Sequence, residues 1–390
     1  MRPRGSTHPT GLLTTTLSEH PPALLRTAQR ESKGRVLVAM SGGVDSSVAA
    51  ALLQRQGYEV LGVTLQLWGK DVCVSSSTRL CCSVRDALDA KAVANRLGIP
   101  HETLELVETF RERVINYFVE GYAKGLTPNP CIACNDHIKF GALSEKADAL
   151  GAEAIATGHY ARLARDSASH RWRLRRSVDR SKDQSYVLFN LRQDQLARAQ
   201  FPLGELTKPE VRALARELGL ETAEKPDSQD ICFVRDGNKD AFLHRELQPS
   251  EAPGPILDTD GRVRGTHHGL LGYTIGQREG LGIACGTPMY VVAIDRERNR
   301  LVIGMREALL ARRCRVERAN WVSIDAPQEA VRAEVKIRSR HQAAAATLTP
   351  DGPGVVAIEF DEPQSAITPG QAAVFYQDDW VLGGGWIAKA

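Results

Sequence analysis

The sequence has no apolar run near the roughly 20 residues needed to cross a bilayer. It also lacks the apolar core of a secretory signal, and its charged fraction is 25%. The eight cysteines lack the regular spacing of a disulfide framework. Cysteines used in this way are typical of proteins in a reducing compartment, where thiols stay free. We therefore expect a cytoplasmic protein without a membrane partner.

The chain also lacks a strong charge imbalance, since its formal net charge is only +3. A polycation of the histone kind is excluded, so local patches matter more than the total. Two segments, 311–318 and 336–341, concentrate cations. Each segment can either bind the phosphates of a nucleic acid or form a solvated strand face.

A length of 390 residues predicts two or three folded domains. Residues 1–33 have few acids and no sustained apolar periodicity, which predicts a disordered extension. The same composition resembles an organellar transit peptide, and that alternative stays open.

An alternation of strand and helix patterns fills residues 34–220 and predicts an α/β domain with a doubly wound parallel sheet. Strands are predicted over 35–40, 59–67, 101–106 and 154–157, and helices over 46–56, 84–97, 109–124 and 140–150. Glycine-punctuated residues 221–288 predict a small central β-rich domain, and the short strands of 289–390 predict a C-terminal β-barrel.

The segment Ser41-Gly-Gly-Val-Asp-Ser46 lies between the first strand and the first helix. Its glycines let the backbone approach an anion, and its serines add donors at the positive end of the helix. It has no Gly-Lys-Ser/Thr, so it is not a Walker A loop. The segment resembles the signature of PP-loop ATP pyrophosphatases, which cleave ATP between the α- and β-phosphates. An ordinary serine-rich turn is the alternative.

A C-x-x-C motif, Cys131 and Cys134, follows two stiffening prolines at a helix entry. A helix amino end lowers the pKa of a nearby thiol, which predicts a thiolate nucleophile. Two inert thiols or half of a metal site are the alternatives, although a four-cysteine zinc site lacks a second C-x-x-C here.

Four further motifs share an order along the chain: Ala156–Arg162, Lys182–Tyr186, Lys225–Val234 with its single Cys232, and Gly272–Gly282. Together with the PP-loop and the C-x-x-C, they resemble the tRNA-specific 2-thiouridylases over residues 35–390. That resemblance implies ATP-dependent 2-thiolation of the wobble uridine in tRNA anticodons.

The resemblance also implies roles for individual residues. Cys134 corresponds to the nucleophile and Cys232 to the cysteine that carries a persulfide. The ATP site would comprise Ala39, Met40, Ser41, Gly42, Gly43, Val44, Asp45, Ser46, Leu65 and Gly158. The target base would meet Asn129, Pro130 and Cys131, and the tRNA would meet His159, Lys182, Asp183, Gln184, Arg338, Ser339 and Gln371.

The implied chemistry begins with transfer of AMP to the C2 oxygen, assisted by Mg²⁺, because that oxygen is a poor leaving group. A persulfide on Cys232 then supplies sulfur, and a disulfide between Cys134 and Cys232 remains. A cysteine desulfurase or a sulfur-relay protein would be the donor.

One departure from the family pattern is Cys131, where many members have aspartate. Three cysteines, Cys131, Cys134 and Cys232, could then hold a [4Fe-4S] cluster with one open iron, through which the same reaction would run. A PP-loop ligase that acts on a small metabolite also stays open as an interpretation of the sequence. So does a nucleic-acid-binding or zinc module without catalysis.

Overall fold

The structure is a computed structural model that describes residues 33–67, 84–227, 231–234, 237–248, 252–284 and 286–389. The predicted N-terminal extension, apart from Lys33, lies outside these residues, and so do Cys73, Cys81, Cys82 and Cys285. Among the described residues, no helix has both the length and the apolar character that crossing a bilayer requires.

The amino-terminal domain is built on a parallel sheet with the strand order β3-β2-β1-β4-β7. Its strands are β1 (Arg35–Ala39), β2 (Glu59–Gln66), β3 (His101–Glu105), β4 (Ala154–Ala156) and β7 (Ala199–Gln200). The middle of β1 is an unbroken apolar run and is fully buried, as expected of a strand covered on both faces. The predicted doubly wound sheet is confirmed.

Helices cover both faces of this sheet. They are α1 (Val44–Arg55), α2 (Val84–Leu97), α3 (Val107–Phe110), α4 (Asn116–Ala123), α5 (Pro130–Ala133), α6 (Leu143–Ala149), α7 (Gln193–Arg198) and α8 (Lys208–Glu217). Two π-helices, Arg111–Ile115 and Cys134–Ala142, join α3 to α4 and α5 to α6. Helices α1, α2 and α8 pack on one face, while the second π-helix and α6 pack on the other.

A smaller four-stranded sheet follows α9 (Lys239–Leu247). Its strands are β8 (Gly254–Asp258), β9 (Val263–His267), β10 (Tyr290–Asp295) and β11 (Arg300–Gly304), in the order β10-β11-β8-β9. Strands β10 and β11 fall in the predicted barrel domain that begins at residue 289. However, β11 pairs with β8, and Leu301 and Ile303 pack against Ile256, so these two strands belong to the central sheet.

The carboxyl-terminal strands close into a barrel because β12 pairs with both β15 and β17. They are β12 (Leu310–Trp321), β13 (Val331–Lys336), β14 (Ala344–Pro350), β15 (Val356–Ser365), β16 (Ala372–Gln377) and β17 (Trp380–Ile387). This confirms the predicted barrel.

A hairpin from the amino-terminal domain extends the barrel sheet. Its strands, β5 (Ala161–Arg165) and β6 (Trp172–Arg176), pair with each other, and β6 pairs with β17. One apolar cluster, which includes Leu37, Phe140 and Leu174 with Val374 and Tyr376, therefore spans both domains.

Candidate active site

The PP-loop, residues Ser41–Ser46, lies at the carboxyl end of β1, beside the end of β4. Gly42 adopts φ +69, and a Cβ there would lie 2.1 Å from the Asp86 carbonyl oxygen, so only glycine fits. Ser46 Oγ accepts the Ser41 N–H at 3.1 Å and donates to the Gly43 carbonyl at 3.2 Å. These bonds hold the loop in one shape.

Helix α1 begins after Gly43 without any side-chain cap. An uncapped helix amino end with a glycine-rich approach suits a phosphate, because the amide dipoles there point outward. The remaining predicted ATP residues frame this end. Met40 is buried and Ala39 and Leu65 are half-buried.

Gly158 lies against this first turn of α1. A Cβ at Gly158 would be 2.7 Å from the Ser46 backbone nitrogen and 2.8 Å from the Asp45 carbonyl carbon. The end of β4 and the PP-loop therefore touch backbone to backbone, which explains the glycine in physical terms.

Asp45 is held by two groups from outside the loop. Tyr160 donates its hydroxyl to Asp45 at 2.7 Å, and Lys208 Nζ lies 2.8 Å from both carboxylate oxygens. Burial, followed by the neighbouring Asp45, raises the pKa of Tyr160, so its phenol remains a donor. The loop has no Walker lysine, but Lys208 brings a cation to it from α8.

The C-x-x-C lies on a helix that begins at Pro130, ten residues before the predicted start at 140. Asn129 accepts the Cys131 N–H at 3.0 Å, and Pro130 occupies the first helical position, where its missing N–H costs nothing. Cys131 is exposed, and half-buried Cys134 begins the second π-helix.

The predicted lowering of the thiol pKa is wrong for this structure. Burial raises the pKa of half-buried Cys134, and the nearby Lys139 opposes that shift only in part.

Cys232 is half-buried, and residues 228–230 just before it lie outside the described ranges. Its neighbour Phe233 packs edge-on against Phe110 and Phe118, with ring centroids 5.9 Å and 5.2 Å apart. Cys134 and Cys232 both pack against the apolar cluster that these rings form, although no disulfide joins these two described thiols. The fold thus brings the two cysteines to one neighbourhood.

A metal site does not form from the described residues. Among them, no group of three or more histidine, cysteine, aspartate or glutamate side chains is placed to hold a metal ion. The predicted [4Fe-4S] ligands Cys131, Cys134 and Cys232 therefore do not make a cluster site, and no zinc site forms among the described side chains.

Asp227, a residue that sequence reasoning missed, lies five residues before Cys232 and forms ion pairs with three cationic side chains. Its carboxylate accepts Lys182 Nζ and Lys208 Nζ at 2.8 Å each and Arg212 Nη2 at 3.1 Å. Burial alone would raise the pKa of Asp227, but the lysine hydrogen bonds outweigh it and lower the pKa to about 2. Because Lys208 also binds Asp45, a charged chain links the PP-loop to this segment.

Lys225 makes a second link of the same kind. Its Nζ donates to the Gly42 carbonyl at 2.9 Å and to Asp86 and Asp89 at 2.6 Å each. Residues 221–227, where we predicted a domain boundary, are thus tied to the nucleotide loop. The sequence signal that could have located these residues was the lysine and aspartate of Lys225-Pro-Asp227, a few residues before Cys232.

Several predicted tRNA residues have internal partners here. Asp183 accepts Ser177 N–H and Ser185 Oγ, Gln184 accepts Tyr160 N–H at 3.0 Å, and His159 is only 6% exposed. Their contact with tRNA stays a prediction.

The barrel domain, although distant in sequence, contacts the segment that leads into the C-x-x-C. Gln371 Nε2 donates to the Thr127 carbonyl at 2.7 Å, and Thr127 N–H donates to the Pro369 carbonyl at 2.9 Å. Arg338 is half-buried and donates to the Ser365 carbonyl at 3.1 Å, while Ser339 is exposed. Gln371 therefore supports the turn that leads into Asn129.

The basic segment 311–318 forms an outer strand face. Arg313 pairs with Glu359 at 2.9 Å and Arg315 with Asp351 at 3.5 Å, with all four side chains exposed. These pairs fit the solvated-face interpretation of this segment.

Comparisons with known proteins agree with this geometry. Family models described as the tRNA methyl transferase HUP domain, the tRNA methyl transferase PRC-barrel domain and the aminomethyltransferase beta-barrel domain match residues 34–236, 240–305 and 311–387. A relative named tRNA-specific 2-thiouridylase MnmA, from Heliobacterium modesticaldum, is 52% identical over 92% of this chain and 93% of its own. The chain belongs to the tRNA-specific 2-thiouridylase family.

Further relatives carry the same name. The protein of Symbiobacterium thermophilum is 50% identical over 91% of this chain and 92% of its own, and that of Moorella thermoacetica is 51% identical over 90% and 98%. Among solved structures, an NMN synthetase from Francisella tularensis overlaps 51% of this chain and 67% of its own at 17% identity, with a TM-score of only 0.31.

Replacing Gly158 with alanine tests the close approach to the PP-loop. The new Cβ, 2.7 Å from the Ser46 nitrogen, must push the loop away from β4. We expect ATP affinity to fall by at least ~10-fold. Isothermal titration calorimetry measures it, and circular dichroism controls for folding. Unchanged affinity in a folded variant would show that the contact does not shape the nucleotide site.

Replacing Asp227 with asparagine tests the charged chain. The carboxylate pKa is about 2 in the folded protein and about 4 in an unfolded chain. Its ion pairs therefore stabilise the fold fully above about pH 4, and their contribution is lost as the pH falls toward about 2. Calorimetry should show a lower melting temperature for Asp227→Asn at pH 7, and a difference from wild type that shrinks below about pH 4.

The matched control is Asp325→Asn, because Asp325 pairs with Arg171 while its side chain is 92% exposed. This variant should melt like the wild type. Equal losses in the two variants, or a difference that grows on acidification, would contradict the assignment.

Proposed function

We propose that this protein catalyses ATP-dependent 2-thiolation of the wobble uridine in tRNA anticodons. The observation that carries the proposal is the shared location of Cys134 and Cys232 on one apolar cluster. Both fall within residues 34–236, the part of the chain that the HUP-domain model matches and that also contains the PP-loop. A ligase acting on a small metabolite would have no use for this pair.

The first step activates the base. The C2 oxygen of uridine attacks the α-phosphate of ATP, the bond between the α- and β-phosphates breaks, and pyrophosphate leaves. The PP-loop and the uncapped start of α1 supply donors for the phosphates. Mg²⁺ would enter with ATP and neutralise phosphate charge. Asp45 is the carboxylate that the loop offers, already engaged by Lys208 and Tyr160.

The second step delivers sulfur from a persulfide on Cys232, and AMP departs with the former C2 oxygen. In one route the terminal sulfur attacks C2 directly, and the Cys134 thiolate then cleaves the Cys232–sulfur bond. In the other, Cys134 attacks the persulfide first and releases hydrosulfide, which attacks C2. Both routes leave a disulfide between Cys134 and Cys232, which a thiol reductant must reopen.

The wobble position suits a buried pair of thiols, because an anticodon-loop nucleotide is already unpaired and is easily extruded. Lys182, Arg338 and Ser339 are the predicted tRNA contacts with exposed or half-buried side chains suited to the backbone. We further propose that the persulfide comes from a cysteine desulfurase or a sulfur-relay protein and that the reaction occurs in the cytoplasm.

Thiolation of a tRNA transcript with ATP and a persulfide source tests this function. We expect 2-thiouridine, read by mass spectrometry of nucleosides, in the wild type prepared with or without oxygen. Cys134→Ser and Cys232→Ser should reduce it to background, because each removes a sulfur atom that bonds during transfer.

Cys314→Ser is the matched control, since Cys314 lies on barrel strand β12 and burial raises the pKa of its thiol to about 12. It should retain activity. Thiouridine formation by both Cys134→Ser and Cys232→Ser would refute the mechanism. Pyrophosphate release that needs no tRNA would favour the small-metabolite ligase.

A further inference from the structure

Lys139 lies on the π-helix that begins at Cys134, five residues further along the chain. Hydrogen bonds of a π-helix join residues five apart, so the winding brings side chains at positions i and i+5 closer to one face than an α-helix would. The local geometry therefore turns the Lys139 side chain toward the side of the helix that carries Cys134.

The far end of Lys139 meets a fixed histidine. Its Nζ lies 3.4 Å from His159 Nε2, and Thr157 Oγ1 lies 2.6 Å from His159 Nδ1. An ammonium can only donate, so Nε2 is the acceptor and Nδ1 carries the proton. Burial, followed by Lys139, lowers the pKa of His159 well below its usual value, in agreement with a neutral ring.

The Lys139 ammonium has no carboxylate partner in the part of the chain that the structure describes. The nearest acidic residue along the π-helix, Asp136, is already engaged by Arg192 and Asn190. A half-buried ammonium with no carboxylate partner among the described residues keeps its positive charge available to an anion that enters the site. The position is therefore prepared for negative charge.

The residues around Lys139 indicate where a negative charge would form during the reaction. His159 follows Gly158, whose backbone touches the first turn of α1 at Asp45 and Ser46. On its other side, Lys139 shares a π-helix with Cys134, and its charge acts to lower the pKa of that thiol. The Lys139 side chain thus joins the helix of the C-x-x-C to the end of β4 that touches the nucleotide loop.

We propose that Lys139 is a catalytic residue for sulfur transfer, with its ammonium stabilising the charge that moves from the attacking sulfur to the departing adenylate. This proposal rests on the function proposed above. In the step concerned, the sulfur–C2 bond forms and the C2–O bond breaks, and the electron pair leaves on the oxygen of AMP. One cation placed beside both atoms stabilises the anion at the start and at the end of this step.

Single-turnover kinetics separate this role from a structural one. Persulfide-loaded enzyme is mixed with tRNA and ATP, and pyrophosphate, AMP and 2-thiouridine are followed in time. For Lys139→Met we expect unchanged pyrophosphate release, AMP release and thiouridine formation slower by about 10²-fold, and accumulation of adenylated tRNA. Lys139→Arg, which keeps the charge, should recover part of the lost rate.

Lys146→Met is the matched control, since Lys146 lies further along the same helical segment and pairs with Glu102 at 2.9 Å near the surface. It should behave as the wild type, and Lys139→Gln provides a second neutral variant should the methionine misfold. Equal slowing of pyrophosphate release and thiolation, or normal thiolation in a folded neutral variant, would overturn the role of Lys139. A wild type that forms no 2-thiouridine would instead refute the proposed function.

Discussion

The contact between the backbone of Gly158 and the first turn of α1 is the constraint on which the site depends. It fixes the end of β4 against the PP-loop at a distance that admits no side chain. This contact also positions the next two residues. His159 accepts a hydrogen bond from Lys139, and Tyr160 donates one to Asp45. A contact made only of backbone atoms thus orders the groups around both the nucleotide and the thiol.

Charge complementarity then ties distant segments to that contact. Lys208 binds Asp45 and Asp227 at once, and Lys225 binds the Gly42 carbonyl. Exposed ion pairs contribute only about 0–1 kcal/mol each, but the Lys208 side chain is 9% exposed, so its pairs are poorly screened by water. Lys225 and Asp227 are therefore held close to the loop for ATP.

Local patterns predicted much of this arrangement. The alternation of strand and helix patterns was sufficient to predict the parallel sheet, and the glycines after β1 were sufficient to predict the PP-loop, because each pattern is carried by residues adjacent in sequence. The C-x-x-C was predicted at a helix entry, but the predicted helix bounds began only at residue 140, whereas the helix begins at Pro130, because proline is well suited to a first helical position. Asp227 and the thiol pKa values depend on cations and burial contributed by remote segments, which periodicity does not report.

Strand β6 lies within the nucleotide domain in the sequence. Its pairing with β17, however, makes it part of the barrel sheet. The apolar cluster beneath it likewise draws side chains from both. The molecule is therefore not a string of exchangeable modules. Cutting the chain between catalytic domain and barrel would expose an unpaired strand edge and an apolar surface, the two features that promote aggregation.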